Sequence, residues 1–512
     1  MTSLPPEASN YLLFSDVHLG ADLVQHSRPW TASRLLAAHR IDETLGSMLD
    51  HYREHREDGR LWRVVIAGDF IDLVGMSISA TPGVTWRTPL SEDDQTHGLG
   101  SAEDHAAFKM HAVADRHDLL FRKLASFVEA GHSLVFVRGN HDVEMYWDSA
   151  QRAFLDALIN RASFSVDDTA TREQFESRIE FQHWFFYVRG FLYVEHGHQY
   201  DATCAYHHLL SPRSPRDPRR ISYSFSDILL RYVVRPTREL SPEGHENDSM
   251  FDFIRLAFSL GLNGCAKLGY RFFSAVGRMV ATWRDHLSEH TSQIKAEHDR
   301  QMTLISNVFR LSADNLKAMT LLWATPVTGK FFSIFRTVFL DGLAGGLVAC
   351  GVFALLAVLH VLPWMWLPPV LIALVVSIVV YMKLSKVLEP HAALRLGAKR
   401  LAELVPARYV VMGHTHKPMM EKLSPATTYV NLGNWTNDTV DDQVSGAPCT
   451  HLVIRHGDGG EPEARLCDWD GQRGPRVLHR DARASAVVDG SEAAAVRGIA
   501  ASQEPSVQPR SA

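Results

Sequence analysis

Cysteine is scarce in this 512-residue chain. There are five, Cys204, Cys265, Cys350, Cys449 and Cys467, with no CxxC pair among them. An odd count without paired spacing excludes a disulfide framework and a cysteine-ligated zinc ribbon, and it suits a reducing compartment. An excess of positive charge is also missing: 52 Lys and Arg face 58 Asp and Glu, a formal net charge of −6. A generic binder of phosphate backbones needs a basic domain, so nucleic acid is disfavoured as a partner. The first ten residues, MTSLPPEASN, carry neither a basic nor an apolar signal region, so no secretory signal is expected there. No internal repeat is present.

The most extreme absence is local. Between Asp341 and Lys383 there is no Asp, Glu, Lys or Arg. Residues 342–362 and 367–384 are each long enough to span hydrocarbon as helices. The link between them, Pro363-Trp-Met-Trp-Leu-Pro-Pro, breaks helices and supplies Trp364 and Trp366, residues typical of membrane interfaces. This predicts an antiparallel transmembrane hairpin over 341–385. Lys330 and Arg336 precede it, Lys383, Lys386, Arg395, Lys399 and Arg400 follow it, and the link carries no charge. By the positive-inside rule both flanks are cytoplasmic. The expectation is therefore a multi-pass protein of the plasma (inner) membrane with its catalytic domain in the cytoplasm.

What the chain does contain is enough apolar residue, 46% against 21% charged, to bury a large core. Strand-like runs occur at 11–15, 62–67, 134–137 and 191–195, with helical patterns at 31–52 and 106–129 between the first three. Such alternation predicts an α/β sheet with function at the strand ends. Residues 82–100, rich in Thr, Ser, Gly and acids, read as a long exposed loop of the kind used as lids. Past a basic, proline-punctuated connector at 211–220, amphipathic patterns at 251–283 and 303–323 predict helices. They form either a cap on the core or, through Arg255, Lys267, Arg271 and Arg278, a membrane-surface element. Strand character returns at 409–412, 428–432 and 451–454, and the chain beyond 480 is small, polar and aperiodic. The resulting division is a core in two parts (11–204 and 401–480), a helical insertion (205–340), the hairpin (341–385) and a disordered tail (481–512).

The chemistry gathers at the strand ends. In order they read Ser15-Asp16-Val-His18, Gly68-Asp69-Phe-Ile-Asp72, Gly139-Asn140-His141-Asp142, Glu195-His196-Gly-His198 and Gly413-His414-Thr-His416. Side chains two apart on an extended strand point the same way, so Asp16 and His18 can face one ion. His414 and His416 can do the same, or fork toward two ions. Imidazole, carboxylate and amide oxygen without thiolate suit Mn²⁺, Fe or Zn²⁺ better than Mg²⁺.

The series DxH, GDxxD, GNHD, H and GHxH resembles the calcineurin-like metallophosphoesterases. Asn431-Leu-Gly433-Asn434-Trp435 is similar to the turn that follows GHxH in that family. The resemblance covers roughly 11–200 and 409–454. It implies a β-sandwich flanked by helices, here interrupted by the helical insertion with its two transmembrane helices. It also implies two divalent ions, Mn²⁺ foremost, with Fe or Zn²⁺ as alternatives. One ion would be held by Asp16, His18, Asp69 and His416, the other by Asp69, Asn140, His196 and His414, with the Asp69 carboxylate bridging. His141 would stabilise the phosphate or protonate the leaving oxygen, and Asp142 would orient its ring. Asp72 reads as a loop-structuring residue, and His198 as a neighbour of the ligand His196. Ser15 and Cys204 are set aside as nucleophiles, since the family uses water and neither has a paired base.

The implied function is a membrane-anchored phosphoesterase that hydrolyses a phosphomonoester, phosphodiester or pyrophosphate bond through a metal-bridging hydroxide. Its substrate would be lipid-linked or membrane-proximal. The alternatives are a membrane-tethered metal-binding scaffold without turnover, and a nuclease of the same family.

Overall fold

The computed structural model describes residues 9–24, 32–165, 167–237, 261–337, 390–435, 449–456, 462–471 and 473–480. Strand alternation builds its centre. Strands β1 (Ser9–Phe14), β2 (Leu61–Ala67) and β3 (Ser133–Val137) pair in parallel. Successive side chains on a strand face opposite ways. Leu12, Phe14, Val64, Ile66, Leu134 and Phe136 therefore meet the helices Ala32–Glu54, Glu103–Arg116, Asp118–Glu129 and Asp148–Ile159 on one side. Tyr11, Leu13, Val65, Ala67, Val135 and Val137 enter a second core on the other. Burial on both faces explains why these strands read as near-continuous apolar runs.

The remaining strands are β4 (Ile179–Gln182), β5 (Phe185–Val188), β6 (Leu192–Glu195), β7 (Tyr409–Met412), β8 (Met419–Lys422), β9 (Thr428–Asn431), β10 (Thr450–His456), β11 (Pro462–Asp470) and β12 (Gly474–Arg480). They complete a seven-stranded sheet, order β12-β11-β10-β1-β2-β3-β4, and a five-stranded sheet, order β5-β6-β7-β9-β8. The fold is thus mixed α/β with two sheets. Leu192, Val194, Val411 and Val430 meet the first sheet in the shared core, while Tyr193, Val410, Met412 and Tyr429 face the helix Pro390–Leu404. The layers run helices, sheet, sheet, helices. Strands from both ends of the chain share each sheet, because β10 pairs with β1 and β7 with β6.

Between β6 and β7 the expected helical insertion is present, and its long helix Gly261–Asp285 buries its apolar stripe against protein. Leu268, Ala275 and Met279 lie seven and four residues apart on one face and pack on Phe225, Ile228, Tyr232 and Val233. The segment expected as a lid loop, 82–100, contains a short helix, Glu92–His97, capped by Ser91. Asp94 of that helix pairs with Arg220 at 2.6 Å, and Asp93 pairs with Arg231 at 3.2 Å and with Arg278 at 3.0 Å. These ion pairs pin the segment to the insertion.

The membrane expectation requires correction. Among the described residues no helix is long and apolar enough to cross a membrane. The helices that have the length carry charge: Gly261–Asp285 contains Lys267, Arg271, Arg278, Arg284 and Asp285, which hydrocarbon would reject. The predicted spans at 342–362 and 367–384 lie outside the described residues, as does the tail expected at 481–512. The two transmembrane helices are not supported, and the multi-pass placement in the plasma membrane is withdrawn with them.

Candidate metal centre

Each strand-end motif sits at the carboxyl end of a parallel strand, where side chains from both sheets can meet. Asp16 and His18 follow β1, Asp69 and Asp72 follow β2, and Asn140 and His141 follow β3. His196 follows β6, and His414 with His416 follows β7. The loops are bound to one another by backbone: the N–H groups of Val17 and His18 both donate to the Asp69 carbonyl, at 2.9 and 3.0 Å. Asn431 at the end of β9 donates Nδ2 to the Gly413 carbonyl at 2.8 Å. The Trp435 N–H donates to the Asp16 carbonyl at 3.0 Å. The turn after GHxH therefore holds two of the ligand loops in place.

The backbone marks the same residues. Seven non-glycine residues among those described have positive φ, and five are Asp16 (56°), His18 (53°), Asp69 (52°), His414 (70°) and His416 (58°). A left-handed non-glycine residue stores about 1–3 kcal/mol of strain, retained where the surroundings impose it and concentrated at functional sites. The glycines serve a different need. A Cβ on Gly139 would collide with Asp69 Oδ1, and one on Gly68, itself at φ +86°, would lie 2.5 Å from the His196 ring.

Two acid–histidine clusters result, and Asp69 connects them. Asp16, His18 and His416 offer ligand atoms within 4.8 Å of one another, as do Asp69, His196 and His414, and also His18, Asp69 and His141. His196 shows what the arrangement demands. Its Nδ1 lies 2.9 Å from the Ala67 carbonyl, so that nitrogen carries the proton and Nε2 keeps the lone pair. That Nε2 faces Asp69 Oδ2 at 3.0 Å and Asn140 Oδ1 at 3.1 Å. Three electron-pair donors converging on one point need a cation, or a second proton on the ring. His18 Nε2 is buried without a hydrogen bond, and the buried Asp16 Oδ1 is approached only by His416 Nε2, at 3.3 Å. Buried polar atoms with no partner are rare, and at ligand positions they fit an ion. The residues present therefore fit divalent metal binding.

The electrostatics agree. Burial pushes the Asp69 carboxyl up, but the charges of His196 and His141 outweigh it and hold it well below the usual range. Asp16 is likewise lowered, with His416 and His196 overcoming burial. Burial depresses His196, yet Asp69 prevails and pushes it up to about 9. His18 drops to about 4 through burial and the neighbouring His141. Deprotonated carboxylates and a neutral imidazole such as that of His18 are the forms that ligate, and the proton that Asp69 favours on His196 is the one a bound cation would displace.

Around the ligands the structure reassigns two carboxylates. His141, next to His18 at 4.5 Å between ring centroids, has its Nδ1 2.8 Å from Asp72 Oδ1. Asp72 is in turn held by Arg235 Nη2 at 2.5 Å and by the Gly75 N–H at 2.8 Å. Asp142 accepts instead from the backbone N–H groups of Phe70 (2.9 Å) and Gly139 (2.6 Å). It braces the ligand loops, and burial with the nearby Asp69 raises it to about 7. The orienting role expected of Asp142 belongs to Asp72, read from sequence as a loop residue.

Asp201 went unnoticed in the sequence. Its Oδ2 lies 3.3 Å from His414 Nε2, and Asp201, Cys204 and His414 form a fourth group able to hold an ion. Its only sequence signal is its place three residues beyond His198. His198 is buried with both ring nitrogens unbonded and joins none of these groups. No protein-family model, no curated protein and no solved structure matches the chain.

Proposed function

We propose that the protein is a metal-dependent phosphoester hydrolase of the calcineurin-like type that its five motifs resemble, using two divalent ions, Mn²⁺ foremost. The observation that carries this reading is the meeting of the two acid–histidine clusters at Asp69, five of whose members share a strained left-handed backbone. Asp16, His18, Asp69 and His416 would hold one ion, and Asp69, Asn140, His196 and His414 the other. Ions bound there would supply Lewis acidity and an acidified water at neutral pH.

The chain's own residues do the rest. Asp69 would contribute its carboxylate to both ligand sets and so offset the repulsion of two neighbouring cations. Asp201 fixes His414 through Nε2, as a carboxylate commonly orients a metal-binding imidazole. His141, 8% exposed, stands at the rim of the cluster. Asp72 fixes its ring through Nδ1, so proton exchange with substrate falls to Nε2. As water oxygen bonds to phosphorus and the bond to the alcohol oxygen breaks, that Nε2 delivers the proton the departing oxygen needs.

The test is hydrolysis of 4-nitrophenyl phosphate and bis(4-nitrophenyl) phosphate by full-length protein with added Mn²⁺. Asp69→Asn is expected to lower both rates at least 100-fold, whereas His141→Ala should lower hydrolysis of an alkyl phosphoester about 100-fold and cost the nitrophenyl esters less than about tenfold, since nitrophenolate departs without a proton. A protein that binds metal and cleaves neither ester is a binding scaffold, and the proposal is lost.

A further inference from the structure

Beside the candidate centre lies a cavity of about 1050 Å³ that the mechanism does not use. It opens between the segment 91–97, the residues 231–236 and the helix Gly261–Asp285. Six cationic side chains line it, Arg216, Arg231, Arg235, Lys267, Arg271 and Arg278, against two acids, Glu92 and Asp93. Asp93 is already shared by Arg231 and Arg278. The surplus of positive charge in a concave, partly desolvated space attracts anions more strongly than an open surface does.

Arg235 ties this cavity to the chemistry. It is 7% exposed and gives Nη1 to the Ala21 carbonyl at 3.0 Å and Nη2 to Asp72, the residue that holds His141. Its Nε is buried without a partner. A buried guanidinium N–H left unsatisfied costs free energy that an anionic acceptor would recover. Farther out, Lys267 is exposed, and Arg271 donates Nη1 to Thr237 Oγ1 at 3.0 Å. The cations thus run from the partner of the catalytic imidazole to the outer wall of the cavity.

We infer that the cavity receives a second phosphate group of the substrate, and that the favoured substrates are phosphoesters whose non-reacting portion carries a further phosphate. This rests on the hydrolase reading above. It adds that specificity resides in the helical insertion, which supplies all six cations.

The experiment has two arms on the full-length protein. Calorimetric titration should show inorganic tripolyphosphate binding at least tenfold more tightly than orthophosphate. Lys267→Ala/Arg271→Ala should abolish that advantage, and the single exposed change Lys267→Glu should reduce it severalfold. In the second arm, tripolyphosphate should inhibit hydrolysis of bis(4-nitrophenyl) phosphate competitively, with an inhibition constant that rises at least tenfold in the double variant. The inference is overturned by a tripolyphosphate advantage that is absent or survives both variants. It is also overturned by noncompetitive inhibition, which would assign the cavity to a separate anion. If neither chromogenic ester is cleaved while the lysine- and arginine-dependent advantage persists, the hydrolase reading fails and the anion-binding cavity stands.

Discussion

Replacing Asp72 by Asn removes one charge and almost no volume, and it separates the two carboxylates that compete for the role of orienting His141. Asp72 Oδ1 accepts from His141 Nδ1 at 2.8 Å, a bond to an ionised group of a kind that contributes about 1.5–3 kcal/mol. At about 1.4 kcal/mol per decade, losing it lowers the rate roughly 10- to 100-fold when proton delivery to the leaving oxygen limits turnover. The loss should depend on the leaving group. Nitrophenolate departs without a proton, so 4-nitrophenyl esters should lose less than about tenfold, while alkyl phosphoesters take the full effect. Stability falls too, because Arg235 keeps a buried charge without its carboxylate, a change that costs about 3–5 kcal/mol. A double change, Asp72→Asn/Arg235→Met, should restore melting temperature but not the alkyl-ester rate. Steady-state kinetics on paired alkyl and nitrophenyl substrates read this directly. If Asp72→Asn leaves the ratio of the two rates at the parent value while Asp142→Asn changes it, the assignment of Asp72 is refuted.

Three further outcomes follow from the same geometry. Gly139→Ala forces a methyl against Asp69 Oδ1 and should cost about 1–3 kcal/mol by overpacking, with less retained metal, read by melting and elemental analysis. Mn²⁺ should raise the melting temperature by several degrees at concentrations near 100 times its dissociation constant, and EDTA should reverse the gain; a midpoint indifferent to both would count against the centre. Acid should destabilise the fold through His451, which burial lowers to about 4 and which lies 2.9 Å from the Tyr52 hydroxyl. Its folded value is depressed, so the unfolded chain binds the proton first. Stability is then full above about 6.5 and falls as pH drops toward 4, by about 1.4 kcal/mol at pH 5.5. The slope of melting temperature between pH 7 and 5.5 should be shallower in His451→Gln than in the parent.

The residues that gather in the acid–histidine groups were legible because each motif combines a strand-ending turn with a short-range constraint. Asp16 and His18, or Gly139 and Asn140, declare themselves within four residues. Asp72 and Asp201 did not, because their roles depend on partners 69 and 213 residues away, His141 and His414. A lone carboxylate carries no mark of which imidazole it will meet. Strands β1, β2, β3, β6 and β7 were visible as buried apolar runs. By contrast, β8 (MMEK) is half-exposed, and β12, at the sheet edge, is mostly exposed, so neither shows a strand's usual pattern. The helical pattern at 106–129 proved to be two helices, Glu103–Arg116 and Asp118–Glu129, broken at His117, whose Nδ1 lies 2.7 Å from Asp42. The basic cavity was beyond reach of sequence reading, since its cations come from stretches of chain that only tertiary packing brings together.

Metal stoichiometry tests the central claim most directly. Full-length protein reconstituted with Mn²⁺ and desalted should retain two ions per chain, and Asp69→Asn should retain one or fewer, because both ligand sets draw on that carboxylate. Less than one ion in the parent, or two ions undiminished in Asp69→Asn, would contradict the shared centre.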